Sequence, residues 1–149
     1  MARISIELPE HFPFSTELEV RVADLNYGNH LGNDQALGLI HEARRRYLRA
    51  LKLEEIASDG TGLVIADAGL VYRAQAFYGE RLRIQVAAGD FSSRGCDIYY
   101  RVSQTETDRD VVHAKTGIVC FNFHTQKVMN MPEAMRRALG EPDMGRPRH

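Results

Sequence analysis

Cysteine is scarce in this 149-residue chain: Cys96 and Cys120 are the only two, each alone in a strand-like run. No CxxC spacing offers a metal or redox site, so both read as buried free thiols. A charge excess of one sign is also missing, with 19 Lys+Arg against 20 Asp+Glu and a formal net charge of -1. Without an overall field to recruit nucleic acid or an anionic membrane, partners must be recognised locally, which favours a small-molecule site. No stretch approaches the length needed to span a bilayer, and Met1 to Glu7 lacks the apolar run of a signal peptide. A soluble, cytoplasmic protein is expected. There are no internal repeats, and the length suits one domain, 1–149.

Several chemistries lose support through missing motifs. There is no GxSxG nucleophile elbow and no GxxxxGK[ST] phosphate loop. His41-Glu42-Ala43-Arg44-Arg45 starts like the zinc motif HExxH but puts Arg45 where the second histidine must stand, so two ligands cannot converge. Gly60-Thr61-Gly62 lacks the third glycine of a dinucleotide fingerprint. Neither a metal nor a nicotinamide is expected.

What is present has a clear order. Leu18, Val20 and Val22 alternate with Glu17, Glu19 and Arg21, which predicts a half-buried strand. Asn33 or Asp34 then caps a helix to about Leu51, where Ala36, Leu37, Ile40, Ala43, Tyr47, Leu48 and Leu51 recur at three- and four-residue spacing. Four strands follow, Leu63 to Ala74, Arg81 to Ala87, Gly95 to Gln104 and Val111 to Phe123, separated by short turns. Short turns join antiparallel neighbours, so the reading is an α+β domain with an antiparallel sheet of about five strands wrapped around one long helix. The run Ile118 to Phe123 is apolar on both faces and belongs centrally or in a subunit contact. Pro132 opens a short helix, Glu133 to Leu139, and the breaker-rich 140–149 reads as a mobile tail.

Between strand and helix lies Asp24-Leu25-Asn26-Tyr27-Gly28-Asn29-His30-Leu31-Gly32-Asn33-Asp34. Glycines such as Gly32 let backbone amides approach a ligand, and a helix start supplies unpaired N–H groups with partial positive charge. The combination suits a developing oxyanion, with the Asn33 backbone N–H as donor even while the residue caps the helix. His30 carries an imidazole, the side chain suited to move a proton or bind a carbonyl; its competing role is to brace the loop. Asp24 either acts in catalysis or ends the strand and braces a turn. Tyr27 reads as a pocket wall.

Asp24-x-Asn26, His30-Leu31-Gly32-Asn33 and Glu42-Ala43-Arg44 together resemble the motif of hotdog-fold acyl-CoA thioesterases, in the branch of the 4-hydroxybenzoyl-CoA thioesterases. Val71 to Leu82, with the turn Tyr78-Gly79-Glu80, resembles the same family's strand-turn-strand, and the likeness spans residues 17–124. It implies a hotdog fold, hydrolysis of an acyl-CoA thioester, no cofactor beyond the CoA of the substrate, and a homodimer or dimer of dimers with sites between subunits. The family's second aspartate is Asn26 here, and a neutral amide can orient a carbonyl or water but not act as base. The base is therefore sought among Asp24, His30 and Glu42. Glu42 ranks first because another hotdog branch carries a catalytic helix carboxylate at similar spacing, facing a partner's oxyanion amide; a pair with Arg45 or Arg46, or a link through Arg44, is its competing role. The resemblance also places Ser93 and Arg94 where the family contacts the nucleotide arm. Arg44, Arg45, Arg46 and Arg49 read as a solvated face or intersubunit pairs, and His113 and His124 as structural. A noncatalytic acyl-CoA or acyl-carrier-protein binding module is the alternative to hydrolysis.

Overall fold

The computed structural model describes residues 2–141. Its elements are β1 (Phe14–Glu19), α1 (Asn33–Ala50), β2 (Thr61–Tyr72), β3 (Arg81–Gly89), β4 (Gly95–Gln104), β5 (Asp110–Asn122), β6 (Lys127–Val128) and α2 (Glu133–Leu139). The strands form one antiparallel sheet in the order β1-β3-β4-β5-β2, with the two-residue β6 paired to β5. Because β1 and β2 occupy opposite edges, the connection between them must traverse the sheet, and α1 is that connection. Its apolar stripe meets the inward-facing positions of the strands, as the expected hotdog wrap requires.

The buried set is contiguous. Ile40, Ala43, Tyr47 and Leu48 from the helix pack with Ile84, Val86, Ile98, Tyr100 and Ala114 from the sheet. Each large side chain contributes about 1.5–3 kcal/mol of gross burial. Burial raises the Tyr47 hydroxyl to about 12 and the thiols of Cys96 and Cys120 to about 12 and 11, so both cysteines stay neutral and inert. Tyr100 is fully buried, and its hydroxyl is shared with Thr116 at 2.8 Å and reached by Arg44 at 3.4 Å.

Several boundaries and faces differ from expectation. Val22 is 71% exposed because the alternating strand stops at Glu19 and Val22–Asp24 coil into a 3₁₀ turn. On α1 the apolar stripe runs through Leu39, which is buried, and Leu37 faces solvent. The helix is capped by Gly32, neither by Asn33 nor by Asp34: extended backbone at Gly32 (ψ 149°) already lets its carbonyl take the Ala36 N–H at 2.9 Å. The arginine cluster is no uniform solvated face. Arg44 is 7% exposed inside the core, Arg46 reaches Thr16 Oγ1 at 2.8 Å on β1, and Arg45 and Arg49 remain exposed. β5 lies inside the sheet, as its two-sided apolar character requires. Of the expected tail 140–149, residues 142–149 lie outside the described residues; Gly140 closes α2 at φ 84° and Glu141 pairs with Arg136 at 2.8 Å. Among the described residues no helix is long and apolar enough to cross a membrane.

Candidate active site

Two segments that cross the sheet meet at the start of α1. The link from β2 at one edge to β3 near the other, residues 73–80, runs beside the loop that precedes the helix. Leu31 N–H bonds Ala76 O at 2.8 Å, His30 and Phe77 form a bridge, and Val20 and Gly79 exchange with Glu80 and Val20 at 2.9 Å. The loop itself is a closed ring. Leu25 pairs with Leu31, Asn26 N–H bonds His30 O at 2.9 Å, and Asn29 N–H bonds Asn26 O at 3.0 Å. Asn29 adopts φ 63°, a left-handed conformation that asparagine tolerates.

Local hydrogen bonds set what each side chain can offer. Asn26 Oδ1 accepts the Gly28 N–H at 2.8 Å, which fixes the orientation of the amide and leaves its nitrogen to donate. His30 Nδ1 lies 3.1 Å from Leu31 O. A carbonyl can only accept, so Nδ1 carries the proton and the Nε2 of the neutral ring holds a free lone pair. The bare Gly28 makes room for this arrangement: a Cβ there would stand 3.2 Å from His30 Nε2 and 3.3 Å from Asn26 Oδ1.

A cavity of ≈ 270 Å³ opens beside the helix start. His30, Gly32 and Asn33 supply its polar side, Leu31, Ala36, Ala76, Val111 and Val112 its apolar side, and Tyr72 at the end of β2 with Arg73, Ala74 and Gln75 of the following link the remaining wall. The Asn33 and Asp34 amides precede the first intrahelical bond, and no side chain caps them. Tyr72 Oη donates to Asn33 O at 2.9 Å and ties the helix start to the sheet. Burial, and then the charge of Asp34, raises the Tyr72 hydroxyl above its ordinary range, so it stays a donor.

The other sequence candidates lie elsewhere. Asp24 is 4% exposed, and its carboxylate accepts the Arg21 backbone N–H at 2.8 Å and the guanidinium at 3.3 Å, while its carbonyl accepts the Gly32 N–H. It braces both ends of the loop and does not line the cavity. Glu42 lines a separate groove of ≈ 420 Å³ with Arg21, Asp24 and Gln35, and accepts from Arg46 Nε at 3.1 Å. Within one chain Glu42 and the helix-start amides do not face each other. Tyr27, expected as a pocket wall, is fully exposed at the tip of the loop and lines no part of the cavity. Ser93 and Arg94 are exposed in the β3–β4 turn, where their carbonyls hold Met131 and Cys120. Among the described residues, no group of three or more His, Cys, Asp or Glu could hold a metal.

Tyr72, Arg73, Gln75, Val111 and Val112 line the cavity without having been singled out. Their sequence signal was the family-like stretch from Val71, which read as strand and turn; only the pairing of β2 with β5 sets its end against the helix start.

This is the architecture of a hotdog-type thioesterase. Residues 20–139 match the thioesterase-like superfamily, and the chain belongs to that family. A 1,4-dihydroxy-2-naphthoyl-CoA hydrolase of Synechocystis sp. is 27% identical over 133 residues, covering 87% of this chain and 96% of that protein. The crystal structure of a 1,4-dihydroxy-2-naphthoyl-CoA thioesterase from Synechocystis superposes with a TM-score of 0.79 at 25% identity, covering 90% of this chain and 98% of the other. YbaW of Escherichia coli, described as a probable thioesterase, shares the fold at 21% identity and a TM-score of 0.72, over 87% of this chain and 96% of its own.

Proposed function

We propose that this protein hydrolyses an acyl-CoA thioester in the cavity beside His30, with the imidazole Nε2 as general base. One observation carries this reading: the cavity is lined by His30 and the uncapped helix start and contains no Asp or Glu. With Nδ1–H held by Leu31 O, Nε2 is free to accept a proton from water as that water attacks the thioester carbonyl. The negative charge that develops on the carbonyl oxygen is met by the Asn33 amide, in the positive field of the helix end. Collapse of the tetrahedral adduct breaks the C–S bond, and the imidazolium returns its proton to the leaving thiolate. Asn26 does not itself line the cavity; its amide, oriented by the Gly28 N–H, positions the carbonyl or the water from the loop beside His30. Ser93 and Arg94, exposed in their turn, remain open to the phosphates of CoA. The exposed β2 edge, bearing Ile65 and Tyr72, is the surface through which we expect a second copy to join the sheet, giving a homodimer or dimer of dimers.

The relatives named as CoA hydrolases and thioesterases support the substrate class. Asn26 in place of a carboxylate favours a second reading, a binding module for acyl-CoA or an acyl carrier protein that has lost the chemistry. Free-thiol release from a panel of acyl-CoAs decides between them. Hydrolysis requires turnover above background that His30→Ala abolishes and Asn26→Asp preserves or raises; binding without thiol release establishes the module instead.

A further inference from the structure

We propose that Arg73 selects acyl groups that carry an anionic substituent such as a carboxylate, an inference that rests on the acyl-CoA reading of this cavity. Arg73 is the one fixed charge among the residues lining it. Several other arginines are engaged, Arg21 with Asp24, Arg46 with Glu42, Arg81 with Glu17, Arg101 with Asp110 and Arg136 with Glu141, and the exposed Arg45, Arg49 and Arg94 do not line this cavity. Among the described residues, neither an ion pair nor a hydrogen bond engages the Arg73 side chain.

Its backbone, by contrast, is held on both sides. The Arg73 N–H bonds Val111 O at 2.8 Å, Tyr72 is tied to Asn33, and Gln75 O accepts from Arg109 at 2.9 Å. An anchored backbone carrying an exposed, unpaired guanidinium, at the rim of a cavity whose remaining lining is neutral or apolar, suits a planar anion gripped by two parallel N–H bonds. Asp34, whose charge acts on Tyr72, lies outside the lining and makes no ion pair with Arg73. The phosphates of CoA are the other anions in such a substrate. The pantetheine arm holds them much further from the thioester than a cavity of ≈ 270 Å³ reaches, so the anion that meets Arg73 sits on the acyl side.

The test uses non-hydrolysable thioethers of CoA in calorimetric titration of the full-length protein: one with a carboxypropyl group, one with a butyl group, and free CoA. Arg73→Met is expected to weaken the carboxypropyl compound by about tenfold or more, the loss of a charge-assisted hydrogen bond, and to leave the other two within about twofold. Arg73→Lys restores part of the difference, because a point charge replaces the fork. Equal weakening of all three ligands assigns Arg73 to the CoA phosphates and overturns the proposal, as does an unchanged carboxypropyl affinity or a wild-type protein that binds neither thioether. Thiol release from glutaryl-CoA and valeryl-CoA separates this proposal from the one beneath it. If neither is hydrolysed while the binding difference persists, hydrolysis fails and the role of Arg73 stands. If both are hydrolysed and Arg73→Met leaves their ratio of kcat/KM unchanged, the selection fails and hydrolysis stands.

Discussion

The two depressions that flank the start of α1 are built from opposite materials. On the Glu42 side the charges beside the helix are paired: Asp24 grips Arg21, and Arg46 spans Glu42 and Thr16, while Glu19 at the rim is exposed. On the His30 side the polar groups are left open, with a lone pair on Nε2, bare helix amides and an unpaired Arg73. Paired charges fix geometry at little cost because each satisfies the other. Unpaired groups beside a cavity are useful only to something that enters it. The contrast is the ground for proposing the chemistry on the His30 face, although both faces draw on the same loop and helix.

The strongest way to break that contrast is to remove one group from each side. His30→Ala is expected to lower kcat/KM for thiol release by about 100–10,000-fold, the usual contribution of a positioned acid or base. Wild-type turnover in that variant would move the chemistry out of the cavity. The core beneath both faces gives the next largest effect: Ile40→Ala should cost about 2–5 kcal/mol in urea unfolding, because a fully buried side chain on the central helix leaves a void. A loss below about 1 kcal/mol would mean that the helix is not clamped as described. Tyr72→Phe sharpens the comparison, since it deletes only the donor to Asn33 O and should reduce kcat/KM by roughly 2–10-fold, equivalent to one ordinary hydrogen bond. Glu42→Ala should be nearly silent. An exposed helix pair is worth about 0.3–0.5 kcal/mol, and thiol release should stay at the wild-type rate; a drop comparable to that of His30→Ala would restore Glu42 as base.

Acid stability probes a third region, the outer face of the sheet. Burial pushes the Asp110 carboxyl up, but Arg101 at 2.6 Å and His113 at 2.6 Å outweigh it and hold the group below its ordinary 3.8. A depressed carboxylate stabilises the fold fully above its unfolded value and loses that contribution as pH falls through the folded one. Asp110→Asn should therefore lower stability at neutral pH and flatten the loss of stability below about pH 4, read from denaturant midpoints across an acid series. An identical pH slope in both proteins would show that the pair contributes nothing.

Much of the fold was legible because periodicity reports burial directly. The spacing on α1 and the alternation in β3 located helix and strands, and Gly95 to Gln104 and Glu133 to Leu139 were placed to the residue. Errors arose where a local hydrogen bond outranked pattern. Val22 belongs to the alternating series, yet the Asp24 carboxylate captures the Arg21 N–H and coils the chain out of the strand. Leu37 and Leu39 both fit an apolar helix stripe, and only the tilt of the sheet against α1 selects Leu39.

The site divides along the same line. His30, Gly32 and Asn33 are consecutive enough for sequence to gather them at a helix start, and Asn26 announces by its chemistry that it cannot be a base. Sequence by itself thus determined the class of fold, the loop and the kinds of groups it offers, because these follow from local propensity and the donor and acceptor inventory of each side chain. Only tertiary structure decided that Glu42 faces the other groove, that Leu31 O holds His30 Nδ1 beside the cavity, and that Arg73 stands at the cavity wall. Those outcomes depend on which strand edges meet and which carbonyl is within reach, distances between residues far apart in the chain that no spacing encodes.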